Sequence, residues 1–194
     1  IDTTDPVIES VKMTTDTGSS ADDGITKESS PAFVGKTEPN TRVVFEIAGQ
    51  RYEIPESSID SEGNWSFSLP IELPDNSYSW RVVVTDKAGN TSEQSGNIKI
   101  DTVNTLTGGL AKSSDTGSSS TDKLTNDKNP KFEGTTEAKA EVTIRFSDGT
   151  EYKTIAGDDG SWSIDVTDAL THGRHEYEIT SVDTAGNDKS IKSF

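Results

Sequence analysis

Short runs in which apolar and polar residues alternate recur along the whole chain, and turn-forming residues separate them. The runs at 43–47 and 65–69 show this pattern clearly, with every second residue apolar. Alternation with a period of two is typical of strands that bury one face. In the first half it predicts seven strands: Val7–Met13, Ala32–Thr37, Arg42–Ile47, Arg51–Pro55, Trp65–Leu69, Tyr78–Asp86 and Gln94–Ile100.

The second half of the chain repeats the first. The letters Asp-Thr-Gly-Ser-Ser at 16–20 return at 115–119, and Ala-Gly-Asn at 88–90 returns at 185–187. A repeat that covers the whole chain predicts two domains, residues 1–100 and 101–194. Because Phe194 aligns with Asn97, the second copy stops before a counterpart of Ile-Lys-Ile-Asp at 98–101. We therefore expect the natural protein to continue into another copy, and the last strand of the second domain to be truncated.

Seven short strands per repeat, separated by Gly, Asn and Asp turns, predict an all-β fold. Each repeat should form a seven-stranded antiparallel Ig-like β-sandwich, and the two sandwiches should follow each other end to end in an elongated arrangement. Successive strands run up and down, so loops alternate between two poles. The loop 16–26, called here the first acidic loop, should then lie beside the exit of its domain at Asp101.

Charge and composition narrow the function classes. The 194 residues include 34 acids and 18 bases, which gives a net charge of −16. Such a surface repels nucleic acid and anionic membranes. No apolar run approaches the ~20 residues of a membrane span, and the absence of cysteine excludes disulfides. We expect a monomer without nucleic-acid or membrane partners.

The acidic residues point to a metal. A Gly/Ser-rich loop that holds several carboxylates suits Ca²⁺, which takes oxygen ligands, although Asp, Gly and Ser also form ordinary solvated turns. The topology predicts a calcium site at the domain joint, formed by Asp16, Asp23, Asp101 and Asp183, with Asp22 and Asp159 as further candidates. Weaker candidates are Asp2, Asp86 and Glu62 at the N-terminal pole, and Asp115 and Asp122 in the second acidic loop (residues 115–125).

Two alternatives stay open. Asp86 and Asp183 lie in turns, where an acid can instead bond backbone N–H groups. The three tryptophans, Trp65, Trp80 and Trp162, could stack on sugars, but their strand phase matches apolar neighbours and favours the core. No nucleophile motif or apolar pocket with paired carboxylates is recognisable, so the sequence does not predict an enzyme.

Four motifs occur in order: Asp-Thr-Gly-Ser-Ser at 16–20, Gly-Asn-Trp-Ser at 63–66, Thr-Asp-Lys-Ala-Gly-Asn at 85–90 and Ile-Asp-Thr at 100–102. In this order they resemble the tandem bacterial Ig-like repeats of giant repetitive adhesins of Gram-negative bacteria. The second copy departs from the first at Thr121, where the first has Asp22, and at Gly157, where it has Asp60.

The resemblance implies type I secretion, location at the bacterial cell surface or outside the cell, and calcium near the domain joints. It implies a structural repeat segment that positions a distal binding region for adhesion to host cells or in biofilm. Its partners would be the neighbouring repeats, while other regions would contact a host glycan or protein. The alternative is an Ig-like module that itself grips such a glycan or protein.

Overall fold

The chain divides after Thr102 into unit 1, residues 1–102, and unit 2, residues 103–194. The structure, a computed structural model, describes residues 1–193, so Phe194 lies outside the described residues. The strand pairs of both units are antiparallel apart from one short parallel pair in unit 1, and a three-residue 3-10 turn at Glu56–Ser58 interrupts unit 1. The predicted all-β, Ig-like class is thereby confirmed. Over residues 1–193, no helix has the length and hydropathy of a membrane span.

Unit 1 is a sandwich of a three-stranded and a five-stranded sheet. Its strands are β1 (Ile8–Met13), β2 (Ile25–Thr26), β3 (Ala32–Thr37), β4 (Arg42–Ile47), β5 (Gln50–Ile54), β6 (Asn64–Ser68), β7 (Asn76–Thr85) and β8 (Thr91–Ile100). The sheet orders are β1-β3-β6 and β2-β8-β7-β4-β5. All seven strands predicted from alternation are present, with boundaries within three residues, and β2 is additional.

Unit 2 repeats this architecture with seven strands. They are β9 (Leu106–Leu110), β10 (Lys131–Thr136), β11 (Glu141–Phe146), β12 (Glu151–Ile155), β13 (Ser161–Asp165), β14 (Tyr177–Val182) and β15 (Asp188–Ser193). The sheet orders are β13-β10-β9 and β12-β11-β14-β15. Residues 124–125, which correspond to β2, belong to no strand.

Each unit has its own core between its two sheets, and the tryptophans lie in these cores. Trp65 is 3% exposed and Trp162 is 4% exposed. Trp80 stacks on Phe45 with ring centroids 5.9 Å apart. The prediction of core tryptophans is confirmed, and none of the three is placed to stack on a ligand in solvent.

The short strand β2 ties the first acidic loop to the end of unit 1. It pairs in parallel with the last residues of β8. The Lys99 N–H donates to the Gly24 carbonyl (2.8 Å), and the Asp101 N–H donates to the Thr26 carbonyl (2.9 Å). The first acidic loop therefore lies beside Asp101, as the alternation of loops between poles predicts.

Candidate metal-binding loops

The first acidic loop is folded around two of its own carboxylates. The Gly24 N–H donates to Asp16 Oδ2, and the Ile25 N–H donates to Asp23 Oδ1, both at 2.9 Å. Gly24 has a φ of 76°, a left-handed conformation that glycine adopts without steric cost. The Thr17 hydroxyl accepts the Lys27 N–H at 2.9 Å and fixes the other end of the loop.

The second acidic loop has the same bonds. Asp115 Oδ2 accepts the Lys123 N–H, and Asp122 Oδ1 accepts the Leu124 N–H, both at 3.1 Å. Lys123 stands where the first loop has Gly24, yet it keeps a φ of 62°. A side chain in this region costs about 1–2 kcal/mol. The loop shape is thus retained in unit 2 even without the residue that adopts it most easily.

Each loop also buries one carboxylate oxygen that has no hydrogen-bond donor. These oxygens are Asp16 Oδ1 and Asp115 Oδ1, and Asp115 as a whole is only 8% exposed. An unsatisfied buried polar atom costs about 1–3 kcal/mol, and a charged one costs more. A bound cation would remove this cost. The residues present therefore fit an oxygen-ligated metal in the same place in both copies.

Electrostatics within the first acidic loop favour a cation further. Burial raises the pKa of Asp16, while the hydrogen bond from Gly24 lowers it. The nearby carboxylates of Asp23 and Asp22 also raise the pKa of Asp16. Asp22 lies farther out and forms an ion pair with Lys12 at 2.6 Å, with both side chains largely exposed. Asp16 and Asp23 thus remain the central pair.

Asp101 is held within unit 1 by its neighbours. Its carboxylate lies 2.7 Å from Lys99 Nζ, so a cation there would compete with a lysine. The next residue, Thr102, donates its N–H and its hydroxyl to the Asp75 carboxylate at 3.2 and 2.8 Å. The sequence analysis did not single out Asp75 as an acid at the exit of unit 1. The only signal for it was its place in the turn before β7, at the same pole as the exit of the domain.

The turns at 86–90 and 183–187 are closed by the same pair of side chains. Asp86 accepts the Asn90 N–H at 2.8 Å and the Asn90 side-chain amide at 2.7 Å. Asp183 and Asn187 make the same two bonds, both at 2.8 Å. The bonds from Asn90 lower the pKa of Asp86. The alternative interpretation of these two acids, as residues that close turns, describes this geometry.

The remaining candidates are dispersed. Asp159 accepts the N–H and hydroxyl of Ser161, which lower its pKa. Asp2 lies at the pole of Asp86, since its carbonyl is 3.5 Å from Asn90 Nδ2, whereas the Glu62 N–H donates to Asp60.

Over residues 1–193, no three acidic or histidine side chains of one and the same unit have ligand atoms within 4.8 Å. A cation in an acidic loop would therefore need backbone carbonyls and water as further ligands.

Comparison with solved structures finds tandem domains of low sequence identity. The tetra-tandem repeat in the extending region of a large adhesion protein is 21% identical, with a TM-score of 0.44 over 99% of this chain and 49% of that one. A 1.5-MDa bacterial ice-binding adhesin is 17% identical, with a TM-score of 0.40 over 99% of this chain and 64% of that one.

A Ca²⁺-stabilized adhesin from an Antarctic bacterium is 21% identical, with a TM-score of 0.39 over 97% of this chain and 48% of that one. The chain thus spans about half to two thirds of the length of these three structures. A search of curated proteins gives no match.

The family comparison covers nearly the whole chain. The profile of the bacterial Ig-like domain matches residues 2–102 and again residues 103–194. These two matches coincide with the two compact units to within one residue. The chain belongs to the bacterial Ig-like domain family, of which it carries two tandem copies.

Proposed function

We propose that this chain is a spacer segment of a large bacterial surface adhesin, and that calcium in its acidic loops stiffens the repeats. The segment would hold a distal binding region away from the cell, as a structural element and without catalysis. The assignment to an adhesin is based on the family membership and on the order of the sequence motifs. It places the protein outside the cell after type I secretion, with neighbouring repeats of the same chain as its direct partners.

One observation carries the calcium part of the proposal. The same carboxylate oxygen is buried without a donor in two units that fold around separate cores, as Asp16 Oδ1 and as Asp115 Oδ1. An isolated defect would not be expected at equivalent positions of both copies. One divalent cation in each loop would coordinate the buried oxygen of that loop and would also neutralise the loop's second carboxylate.

Calcium fits better than magnesium because calcium accepts irregular sets of carboxylate, backbone carbonyl and water oxygens, whereas magnesium requires near-ideal octahedral geometry. Extracellular calcium suits weak sites with Kd of about 10⁻⁴–10⁻³ M. In the first acidic loop, Asp16 and Asp23 are the central ligands of the proposal. The participation of Asp101 and Asp183 rests on the loop topology expected from the sequence and stays a prediction.

The test is thermal unfolding of the 194-residue chain in millimolar calcium and in chelator. Binding to the folded state alone adds RT ln(1 + [Ca²⁺]/Kd), about 0.4–1.4 kcal/mol at 1 mM calcium for these Kd values, so calcium should raise the melting midpoint. Asp16→Asn and Asp115→Asn keep an oxygen for the loop N–H but remove the charge. Each variant should lose the calcium effect in its own unit. In chelator, Asp16→Asn should be at least as stable as the native chain.

Glu72→Gln serves as the matched control, because Glu72 is an exposed acid outside the acidic loops. It should respond to calcium as the native chain does. Equal midpoints with and without calcium would contradict the proposal. A calcium response that survives in Asp16→Asn together with Asp115→Asn would place the ions elsewhere.

A further inference from the structure

The outward face of the larger sheet in unit 1 carries a row of alternating charges. Glu46 on β4 lies in register with Arg51 on β5 and with Arg81 on β7. Its carboxylate lies 3.8 Å from Arg51 Nε and 2.7 Å from Arg81 Nη2. These side chains point away from the core, because the alternate residues Phe45 and Ile47 fill it. The row therefore reads positive, negative, positive across three strands.

Unit 2 carries the same row with every sign inverted. Arg145 on β11 lies in register with Glu151 on β12 and with Glu178 on β14. Arg145 Nε is 3.5 Å from the Glu151 carboxylate. Arg145 occupies the position of Glu46 in the repeat, so the row reads negative, positive, negative.

A second ion pair on the same face is inverted too. In unit 1, Arg42 Nε contacts the Glu53 carboxylate at 2.6 Å. In unit 2, Lys153 Nζ contacts the Glu141 carboxylate at 2.9 Å. Glu141 stands at the position of Arg42, and Lys153 at that of Glu53. Five charged positions of the face thus carry opposite signs in the two units.

Exchange of the two partners of an ion pair preserves attraction within a sheet, and this alone would explain either inversion taken singly. Attraction within a sheet does not require the row of three charges and the second ion pair to be inverted together. Because they are, the face of one unit is the electrostatic complement of the face of the other.

We propose that this face is an interaction surface between copies of the chain, with unit 1 of one copy docked on unit 2 of a second copy. Two such faces can meet with β4 opposite β11 and their strands running in the same direction. The charged positions then pair as Glu46 with Arg145, Arg42 with Glu141, Arg51 with Glu178 and Arg81 with Glu151. Every pair joins opposite signs.

The same geometry disfavours contact between like units. Two unit 1 faces would put Glu46 opposite Glu46 and Arg42 opposite Arg42. Charge patterns of this kind select partners by penalising the wrong pairing. Side-by-side chains on one cell would therefore associate with a stagger of one repeat. Each contact is weak because the side chains are exposed, and a longer array of repeats adds them through multivalency.

The experiment is a charge-exchange cycle on the 194-residue chain, with self-association measured by sedimentation equilibrium up to millimolar concentration. The unit 1 variant carries Glu46→Arg, Arg51→Glu and Arg81→Glu. The unit 2 variant carries Arg145→Glu, Glu151→Arg and Glu178→Arg. Glu93→Ser and Lys192→Ser are added to the respective variants, since Glu93 contacts Arg81 at 3.1 Å and Lys192 contacts Glu178 at 3.7 Å.

Each single variant should lower the association constant by about tenfold or more, because like charges then face each other. The chain with both exchanges should return to within about twofold of the native value, since its faces are complementary again. The unit 2 variant best separates specific pairing of charges from a general effect of net charge. It makes the chain less negative, so a general loss of repulsion would strengthen its association.

A native chain that stays monomeric at every concentration overturns the proposal. So does a unit 2 variant that associates as well as the native chain, or a double exchange that stays weak. Each exchange keeps opposite charges adjacent within its sheet, and thermal unfolding verifies the fold. If an exchanged row fails to fold, Arg42→Glu with Glu53→Arg inverts the second pair and should weaken association in the same direction.

Discussion

The tryptophans of both cores depend on glycines in the neighbouring strands. A Cβ at Gly35 would collide with the Trp65 ring, and one at Gly96 would collide with the Trp80 ring. In unit 2, Gly134 of β10 lies against both Trp162 and the backbone of β9. The glycines thus provide the space that the largest core side chains occupy.

This contact predicts a difference between two glycines of unit 2. Gly134→Ala should destabilise unit 2 by about 1–3 kcal/mol, because the added methyl meets a ring and a backbone that cannot both move. At Gly109 a Cβ would meet only the Tyr177 hydroxyl at 3.7 Å. Gly109→Ala should therefore change stability by no more than ~0.5 kcal/mol. Urea unfolding of both variants measures the difference, and equal losses would contradict it.

The Asp86–Asn90 turn predicts a dependence on pH. Because the bonds from Asn90 lower the pKa of Asp86 below its ordinary value of 3.8, ionised Asp86 stabilises the folded state. This contribution is present above the ordinary pKa and is lost as pH falls through the lowered value. Asp86→Asn should therefore show a smaller loss of unfolding free energy than the native chain between neutral and acid pH.

Urea unfolding at pH 7 and at pH 3 measures the loss of unfolding free energy for the native chain and for Asp86→Asn. Asn90→Ala is the matched variant, because it leaves the carboxylate but removes its main donor. It should also flatten the pH profile while it lowers stability at pH 7. If Asp86→Asn and the native chain lose equal stability on acidification, the turn makes no such contribution.

At the level of strands, alternation was sufficient to place seven elements in unit 1 because each of them buries one face. The two-residue strand β2 is too short to show a period. It exists because the end of β8 at Lys99–Ile100 offers it a parallel partner, and that partner is remote in sequence. The repeat likewise located both acidic loops, but the buried oxygens of Asp16 and Asp115 depend on packing that no spacing reveals.

The hairpin between β4 and β5 gives a prediction at the scale of an element. Ile47 pairs with Gln50, and the two turn residues Ala48 and Gly49 have φ of 52° and 73°. Positive φ at both positions defines a type I′ turn, in which Asn-Gly is preferred over Ala-Gly. Ala48→Asn should stabilise unit 1 by about 0.5–1 kcal/mol. Its control is Ala88→Asn, at an exposed turn position without positive φ, where urea unfolding should show no gain.

At the scale of the whole chain, the net charge of −16 and the acidic loops give the proposed binding of calcium its largest expected effect. Without a cation, the carboxylates of Asp16 and Asp23 repel each other, by ~1 kcal/mol or more for a close pair depending on exposure. Domains joined in tandem move relative to one another unless something couples them. A cation that binds loop and exit together would convert this repulsion into a constraint on the chain.

We therefore expect small-angle scattering of the native chain to give a longer and better defined particle in calcium than in chelator. Asp101→Ala should remain flexible in both, because it removes the ligand that the sequence analysis predicts at the joint. Lys99→Ala is the informative companion variant, since Lys99 now neutralises Asp101 at 2.7 Å and competes with a metal. It should need less calcium to reach the stiff state. If the native profile ignores calcium, or if Asp101→Ala responds as the native chain does, the stiffening ion is not held by Asp101.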